Sequence, residues 1–493
     1  MSSRTGTKVA VVGAGCAGLV AGLSASERGA EVTIFDSGDE RDVGGNALFS
    51  GGLFLFAHDG ANDLEPLLAE GFGPIEAAAY SKSAYVDVLI QMSQGRADDA
   101  LVDVLVGDSF GALQWLRDQG VSFQPASRVY GTFERDGVTV IPPGPALEAV
   151  GAGPGLVAAL SRELERREIA ITYGTQVVDF AVEDGRVVGV VDTQGATHSC
   201  DAVVLTPGGF EASEELRRRY LGDEWGGVKV RGTRHNTGLP LEAAFRHGAT
   251  PAGALDACHS ISVDASAEAP PRPGVATPAR ISRGFRFGIV VNADGHRFFD
   301  EGADHWTRIY SKMGRAILRQ PGSVAYHFFD GKVRDHVLSA LPGATYFEAD
   351  SLAEAARLVG IDPDELVSTV DEFNRSVDVE TPLDFDRLDG RSAAGLNPPK
   401  SNWADTLDTP PFLVFPAACG ITFTHGGLRI DRDGRVLGQD GQVAVKGLYA
   451  AGEITGGLFF GNYPGGSSLV RSTVFGLRAS HAAVADFAAD ASF

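Results

Sequence analysis

The fold of this chain is decided by one stretch near its N-terminus, Lys8-Val9-Ala10-Val11-Val12-Gly13-Ala14-Gly15-Cys16-Ala17-Gly18. Residues 8–12 predict a buried parallel strand, because an unbroken apolar run is typical of a strand covered on both faces. Residues 16–28 predict a helix, and residues 31–36 predict a second strand that ends in an acid. A strand, a glycine turn, a helix and a second strand in this order predict an α/β domain of the Rossmann type.

The glycine turn has the G-x-G-x-x-G spacing of a dinucleotide-binding site, although a bare structural turn is the alternative. Its glycines permit a tight turn, the approach of a pyrophosphate to the backbone, and close packing of the helix on the strand. The helix N-terminus then faces the phosphates. The acid that ends the second strand is placed to bind ribose hydroxyls. We predict cofactor contacts at Gly13, Gly15, Ala17, Gly18, Asp36 and Ser37.

A second glycine-rich segment, Gly44-Gly45-Asn46-Ala47-Leu48-Phe49-Ser50-Gly51-Gly52, is too rich in glycine for an ordinary loop. It suits a backbone that packs against a flat ring, with two polar side chains as hydrogen-bonding groups. We predict further cofactor contacts in this segment at Gly44, Gly45, Asn46, Ser50, Gly51 and Gly52.

The composition limits the possible functions. The chain has 493 residues, 44% hydrophobic and 22% charged, as in globular proteins. Acidic residues outnumber basic ones by 64 to 42, and the net charge of −22 argues against nucleic acid and anionic membranes as partners. No run of about 18 apolar residues occurs, so we predict no membrane span. The four cysteines form no CxxC pair, so we predict no metal site and a reducing, cytoplasmic location.

Further motifs are spread over nearly the whole chain: Thr206-Pro207-Gly208-Gly209-Phe210, residues 231–238 (RGTRHNTG), residues 288–301, residues 447–453 (GLYAAGE) and residues 465–476. In this order they resemble the FAD-dependent flavoprotein family of fumarate reductase, the 3-ketosteroid dehydrogenases and tricarballylate dehydrogenase. Residues 231–236 (RGTRHN) and residues 421–424 (ITFT) are most similar to the tricarballylate branch. The segment Asn462-Tyr463-Pro464-Gly465-Gly466 is more similar to the ketosteroid branch.

The resemblance implies an α/β fold: a Rossmann-like FAD-binding domain of the glutathione-reductase type, with an inserted α+β cap or catalytic domain. The expected boundaries are 1–257 for the N-terminal part of the FAD-binding domain, 258–424 for the cap, and 425–493 for the C-terminal part. Within the cap, residues 352–358 and 363–374 predict short helices. Family members with covalent FAD carry a histidine near the loop of residues 46–50. The nearest histidine in this chain, His58, lies off that motif, so we expect non-covalent FAD.

Other cofactor contacts follow from the same resemblance. Glu453 is expected to bind ribose or ribityl hydroxyls, with a helix N-cap acid as the alternative. The helix that starts near Ser468 is expected to point its N-terminus at the N1–C2 carbonyl of the flavin. The cofactor residues expected on this basis are Val177, Gly208, Gly209, Gly452, Glu453, Ser468 and Leu469.

A second dinucleotide site is not expected. Residues 151–155 (GAGPG) have a similar spacing, but Pro154 and the absence of a preceding apolar strand predict a loop that enters a helix over 156–167. The electron acceptor is therefore expected to be external, namely a quinone, an electron-transfer protein or oxygen.

The family reaction implies a small-molecule substrate. A hydride moves between flavin N5 and the β-carbon of a carbonyl or carboxyl compound, and a proton moves at the α-carbon. The chemistry needs a clamp on the activating oxygen, a proton carrier, and a cap that excludes water. The resemblance assigns proton transfer to Arg308 or Tyr310 and substrate binding to His259. It also suggests an active-site arginine at Arg283 or Arg286, where the register is ambiguous.

Two departures from the fumarate enzymes change the expected substrate. Their clamp histidine is replaced by Phe423, with His425 two residues away, and their carboxylate-binding arginine is replaced by Tyr463. Tyr463 matches the tyrosine that holds the carbonyl oxygen in ketosteroid enzymes, with the backbone N–H of residue 467 as a second donor. A packing tyrosine is the alternative.

Three functions remain open from the sequence. The first is desaturation, or reduction, of a C=C bond beside a ring ketone or a carboxyl group, as in ketosteroids or polycarboxylates. Arg231, Arg234 and His235 could serve an acidic substrate, or they could contact pyrophosphate or solvent. The second is a flavin subunit of an electron-transfer complex. A flavin monooxygenase is the third, but no NADPH site or trigger motif supports it.

Overall fold

The computed structural model describes residues 6–126, 131–270, 279–304 and 306–490, except for the side chains of residues 306–308, 489 and 490. Arg308, one of the expected proton carriers, therefore has a described backbone but lies outside the described side chains.

The strands formed by these residues are, in chain order, β1 Lys8–Val12, β2 Glu31–Phe35, β3 Leu53–Phe54, β4 Ile75–Ala77, β5 Phe123–Pro125, β6 Phe133–Arg135, β7 Val138–Ile141, β8 Leu147–Ala149, β9 Ala170–Thr172, β10 Val177–Glu183, β11 Arg186–Asp192, β12 Thr197–Ser199, β13 Ala202–Leu205, β14 Lys229–Val230, β15 Pro251–Ala252, β16 Cys258–Asp264, β17 Ile289–Val291, β18 Val324–Phe329, β19 Phe347–Ala349, β20 Phe412–Thr424, β21 Gly427–Leu428 and β22 Leu448–Ala450. The helices are α1 Cys16–Glu27, α2 Ala61–Leu64, α3 Lys82–Ser93, α4 Asp99–Asp118, α5 Ala152–Arg166, α6 Glu214–Leu221, α7 Leu239–Arg246, α8 Trp306–Leu318, α9 Arg334–Ala340, α10 Leu352–Leu358, α11 Pro363–Ser376 and α12 Ser467–Asp490.

The chain divides into two compact units. The first contains the residues up to Leu221, Thr233–Cys258, and the residues from Phe423 onward. The second contains Gly222–Gly232 and His259–Thr422. Residues 222–232, which the predicted boundaries assign to the FAD-binding domain, thus group with the second unit through pairing of β14 with β20.

The first unit is built on a five-stranded parallel sheet in the order β22-β13-β1-β2-β9. Every neighbouring pair is parallel, and β1 lies in the middle with its residues from Val9 on buried. Helix α1 is buried along nearly its whole length and packs against α12. This parallel sheet with α1 between its first two strands confirms the predicted Rossmann-like α/β fold. Smaller sheets, β10-β11-β12, β3-β8-β5, β4-β7-β6 and β15-β21, complete the unit.

The second unit is built on a mixed sheet in the order β14-β20-β18-β17, with β16 and β19 also paired to β20. Alternate residues of β20 enter two different apolar clusters, since side chains alternate across a strand. Leu413 and Phe415 pack with residues of α8 and α9, whereas Phe412 and Val414 pack with residues of α10 and α11. Helices therefore cover both faces of this sheet.

One local prediction was wrong. Residues 152–155 do not form a loop, because α5 begins at Ala152, four residues before the predicted start. Proline is tolerated in the first helical turn, where its missing N–H would have no partner. Gly153 and Gly155 are needed for close approach, since a Cβ atom on them would collide with the carbonyl oxygens of Ala47 and Val150 respectively.

In the part of the chain that the structure describes, no helix combines the length and the apolar character needed to cross a bilayer. The same residues contain no cluster of His, Cys, Asp and Glu that could hold a metal ion.

Candidate active site

The glycine turn lies between β1 and α1, at the carboxyl end of the parallel sheet. Gly13 has a φ of 102°, and a Cβ atom there would collide with the backbone of Thr206 and Pro207. A Cβ atom on Gly18 would collide with the Gly13 carbonyl oxygen, so the absence of a side chain lets α1 pack against the turn. Gly15 is the N-cap of α1 and has no side chain to cap the helix, and a Cβ atom on it would have no neighbour closer than 3.9 Å. The first N–H groups of α1 are thus available to an anion.

Asp36 follows β2 beside this turn. Its Oδ2 accepts a hydrogen bond from the Ala14 N–H at 2.6 Å, and its Oδ1 accepts one from the Gly38 N–H at 2.8 Å. Burial raises the pKa of Asp36, and the two backbone donors oppose that rise. Ser37, next in the chain, is partly exposed. The carboxylate is fixed by the backbone while each oxygen keeps a second lone pair for a ribose hydroxyl.

The second glycine-rich segment closes over the first. The Gly44 N–H donates to the Ala14 carbonyl at 2.9 Å, and residues 45–49 form a 3-10 turn. A Cβ on Gly44 would press on Val157, and one on Gly52 would press on Ala152, so both glycines pack against α5. The expected contacts Gly45, Ser50 and Gly51 all retain accessible surface.

The glycine turn of residues 13–18 and the segment of residues 44–52 together form a cradle. Asn46 of this cradle binds a pair of acids, Glu211 and Glu453. Its Nδ2 donates to Glu211 Oε1 at 2.8 Å and to Glu453 Oε2 at 2.9 Å. Asn236 also donates to Glu211 Oε1, at 2.7 Å, and the Thr424 N–H donates to Glu453 Oε1 at 3.0 Å. Two carboxyl groups from distant parts of the chain are therefore held together by the same amides.

Burial raises the pKa of Glu211 well above its usual range, and the neighbouring Glu453 charge adds to the rise. Burial also raises the pKa of Glu453. Glu211 Oε2 is buried and receives no hydrogen bond from the described residues, whereas Oε1 receives two. Two like charges this close oppose each other's ionisation, which favours the protonated form of Glu211, and its Oε2 is the atom placed to carry the proton.

Gly208 and Gly209 make room for this acid pair. A Cβ on Gly208 would collide with the Asn236 amide, and one on Gly209 would collide with Thr424 Oγ1 and Glu453 Oε1. Glu453 itself keeps some accessible surface and lies in a 3-10 turn after β22, directly after Gly452, whose φ is 81°. The role toward ribose or ribityl hydroxyls that the resemblance implies for Glu453 stays a prediction.

The remaining expected cofactor residues lie at element ends. Val177 is buried at the start of β10, and Ser468 and Leu469 lie in the first turn of α12. The Ser467 N–H donates to the Pro464 carbonyl at 3.1 Å, which closes the turn before the helix. That N–H is therefore not available as the expected second oxyanion donor.

Arg471, in the second turn of α12, is 1% exposed. None of its three side-chain nitrogens has a hydrogen-bond partner among the described residues. Its guanidinium carbon lies 4.7 Å from the centre of the Phe459 ring. Burial lowers the pKa of Arg471 to about 10, and the Glu453 charge opposes that shift.

Tyr463 stands in the loop before α12, among aromatic rings. Its ring meets Phe423 edge-on at 4.8 Å between centroids and Phe459 at 5.6 Å. His425 is fully buried, and its Nδ1 accepts the Gly461 N–H at 3.0 Å, so it holds this loop. Tyr463 keeps accessible surface, whereas Phe423 and Phe459 are buried. The phenol is the polar group that this aromatic loop can offer to a ligand.

In the second unit the structure brings together two expected catalytic residues, His259 and Tyr310. His259 is buried on β16, Tyr310 lies on α8 with some exposed surface, and their rings meet at 5.2 Å in an edge-to-face arrangement. Arg283 lies in a 3-10 segment and is partly exposed. Arg286, three residues on, donates to the Phe385 carbonyl at 2.9 Å and lies over the Phe287 ring.

The residues suggested for an acidic substrate are partly used elsewhere. His235 Nε2 lies 2.9 Å from Asp42 Oδ2, and Arg234 Nη2 lies 3.5 Å from Asp42 Oδ1. Arg231 belongs to the second unit, whereas the other two belong to the first. The three cationic side chains do not form one cluster within either unit.

Comparison with known proteins identifies the family. Residues 8–470 match the model of a family described as an FAD binding domain. The chain belongs to this FAD-binding family. The match runs from the first residue of β1 to the residue before Arg471, and so includes the cradle and the acid pair. FAD is accordingly the cofactor, as predicted.

Its curated relatives carry two kinds of name. A "NADH:fumarate oxidoreductase" of Klebsiella pneumoniae is 28% identical over 96% of this chain and 47% of its own length. A "3-oxosteroid 1-dehydrogenase" of Mycolicibacterium smegmatis is 30% identical over 67% of this chain and 62% of its own length. The chain thus spans about half the length of the first of these. The solved 3-ketosteroid delta1-dehydrogenase of Sterolibacterium denitrificans has the same fold, with a TM-score of 0.75, 20% identity, and coverage of 98% of this chain and 100% of its own.

The residues of the cradle fit FAD. A Cβ atom on Gly15 or Gly45 would meet no atom closer than 3.6 Å, and α1 presents uncapped N–H groups to a pyrophosphate. The Asp36 and Glu453 carboxylates can each accept hydroxyl hydrogen bonds.

Three residues of this region were not predicted: Glu211, Asn236 and Arg471. The first two lie in or directly after motifs that the sequence analysis quoted, and polar residues beside a glycine pair were the available signal. Arg471 was detectable only as a charge inside an otherwise uncharged helical turn, directly after Leu469 and Val470.

Proposed function

We propose that this protein forms or reduces a C=C bond beside a carbonyl or carboxyl group of a small molecule. Support comes from the family, and from relatives named for fumarate and for 3-oxosteroids. The aromatic loop around Tyr463 carries the proposal, because a partly accessible phenol among buried rings suits a carbonyl oxygen that gains negative charge. Bound FAD supplies the hydride acceptor or donor.

A ring ketone is the preferred substrate class. The rings of Phe423 and Phe459 give Tyr463 apolar surroundings, which favour a hydrophobic ring over a polycarboxylate. Two of the cations suggested for an acidic substrate, Arg234 and His235, face Asp42 instead. A relative named for fumarate that aligns along 96% of the chain favours a second candidate, a fumarate-type ene reductase.

The chain's own residues take three roles in this proposal. Tyr463 donates a hydrogen bond to the activating oxygen and stabilises the charge that develops there. Tyr310, with His259 against its ring, moves the proton at the α-carbon. Arg308 remains a proposed partner in that transfer, and Arg283 a proposed substrate contact.

The electron partner is proposed to be external: a quinone, an electron-transfer protein or oxygen. We propose non-covalent FAD, because His58 is buried and its Nδ1 accepts the Gly60 N–H at 3.1 Å. A cytoplasmic location is proposed from the four cysteines, which are all free and buried.

The test is steady-state turnover with an artificial electron acceptor, on a panel of a 3-ketosteroid, a cyclic ketone, succinate and a tricarboxylate. On the best substrate, Tyr463→Phe should lower kcat/KM by about 100-fold, as for loss of one oxyanion donor, while FAD stays bound. The matched control is Tyr220→Phe. Tyr220 lies on α6, and its hydroxyl donates to Glu242 of α7 at 2.6 Å. Unchanged kcat/KM in Tyr463→Phe would refute the clamp, and turnover of no panel member would refute the substrate class.

A further inference from the structure

Arg471 is a buried cation that the proposed reaction leaves unused. It is 1% exposed, and its Nε, Nη1 and Nη2 atoms have no hydrogen-bond partner among the described residues. A guanidinium has five N–H donors, and burying it without partners is among the costliest placements a side chain can have. Such a placement persists where the charge serves a function.

The charge acts on a small set of neighbours. Glu453 and Tyr463 are the groups whose charges act on Arg471. Two further titratable groups lie at this loop: His425, which accepts the Gly461 N–H, and Arg96, whose guanidinium lies 4.9 Å from the centre of the Phe460 ring.

A series of side-chain contacts connects Arg471 to Tyr463. The guanidinium lies over Phe459 at 4.7 Å, Phe459 lies 5.6 Å from Tyr463, and Phe423 closes the far side at 4.8 Å. Arg471 is sealed from solvent by the chain's own atoms, whereas Tyr463 keeps accessible surface. Arg471 can therefore reach a substrate only through the tyrosine.

We propose that Arg471 is a positioning residue for Tyr463: its guanidinium supports the aromatic loop, and its buried charge stabilises negative charge on the oxygen that the Tyr463 phenol holds. The inference rests on the proposed clamp role of Tyr463. It follows from Coulomb's law, since the charges of Tyr463 and Arg471 act on each other in an interior of lower dielectric constant than water. Among the described residues, no hydrogen-bond acceptor weakens that charge.

The experiment compares Arg471→Met, which removes the charge and keeps a long side chain, with Arg471→Lys, which keeps the charge. Fluorotyrosine is incorporated into the holoenzyme, and Tyr463→Phe identifies the Tyr463 resonance among the ten tyrosines. The pH titration of that fluorine signal reports the phenol directly. Arg478→Met is the matched control, because Arg478 lies two turns further along α12 and pairs with Asp108 and Asp433.

The expected result has three parts. The Tyr463 pKa in Arg471→Met rises by about one unit over the wild type, a tenfold change in acidity, and stays near the wild-type value in Arg471→Lys and Arg478→Met. The kcat of Arg471→Met falls by about tenfold or more with little change in KM, and Arg471→Lys restores most of it. The melting temperature of Arg471→Met is equal to or higher than that of the wild type, since an apolar side chain replaces an unpaired buried charge.

Three results would overturn the inference: a Tyr463 titration that Arg471→Met leaves unchanged, a changed titration with unchanged kcat, or equal losses of melting temperature and activity in Arg471→Met and Arg471→Lys. The last would mark Arg471 as structural. Failure of the proposed function would look different, because Tyr463→Phe would then be harmless to turnover as well.

Discussion

Replacing Glu211 by glutamine should make the folded protein less sensitive to rising pH. In the wild type, Glu211 Oε1 accepts hydrogen bonds from Asn46 and Asn236, and Oε2 is the atom placed to carry the proton. A glutamine can keep both features, because its carbonyl oxygen accepts from the two amides and its NH₂ group donates to Glu453. The variant therefore imitates the protonated acid permanently.

The magnitude follows from proton linkage. The pKa of Glu211 is raised in the folded state above its ordinary value of 4.5, so the folded protein binds the proton more tightly than the unfolded chain does. That stabilisation is complete below pH 4.5 and is lost as the pH rises toward the folded pKa, by at most about 1.4 kcal/mol per pH unit.

The assay is urea unfolding of the holoenzyme in excess FAD at several pH values from 4.5 to 8. Glu211→Gln should gain stability relative to the wild type as the pH rises, by about 1 kcal/mol or more by pH 7. Glu215→Gln, on the exposed side of α6, should follow the wild-type curve. A difference between Glu211→Gln and wild type that stays constant with pH would show that the acid pair holds no proton.

Three further predictions concern the cradle and the buried thiols. Gly209→Ala places a methyl group against Thr424 and Glu453, so it should lower the melting temperature and release FAD on gel filtration. The control is Gly107→Ala on α4, where the new methyl group has no neighbour within 4 Å and the protein should be stabilised by about 0.5–1 kcal/mol. Equal effects of the two substitutions would contradict the close packing at Gly209. Asp36→Asn should weaken FAD binding about 10–100-fold in a fluorescence titration of apoprotein, as expected for hydrogen bonds to a charged group; unchanged affinity would remove Asp36 from the site. Burial raises the pKa of Cys16, Cys200 and Cys419 to about 12. These thiols should therefore react with a thiol reagent at pH 8 only after the protein unfolds. Prompt reaction of any of these three cysteines in the folded protein would contradict their burial.

Local patterns allowed the sequence to predict the framework. Strand β1 and the glycine turn carry their signal in consecutive residues, and the structure has β1 at Lys8–Val12 as expected. Helix α10 also begins and ends at the predicted residues, Leu352–Leu358. In each of these cases neighbouring residues in the chain decide the conformation.

The candidate site was harder to predict because chain-distant residues build it. Glu211 and Glu453 meet through amides from Asn46 and Asn236, and no spacing in the sequence indicates that meeting. The start of α5 at Ala152 was missed because proline and glycine predict a loop, although the first turn of a helix tolerates them. The Ser467 N–H was expected to bind a ligand, but it closes a turn with Pro464.

The most direct test of the proposed function is anaerobic. The purified holoenzyme is mixed in turn with a 3-ketosteroid, a cyclic ketone, succinate and a tricarboxylate, while the visible absorbance band of the oxidised flavin is followed. We predict that one saturated compound bleaches this band, or that its unsaturated counterpart reoxidises dithionite-reduced flavin, and that Tyr463→Phe slows the same step. If no such pair exchanges electrons with the flavin, and NADPH with oxygen instead gives a hydroxylated product, the proposed function is contradicted.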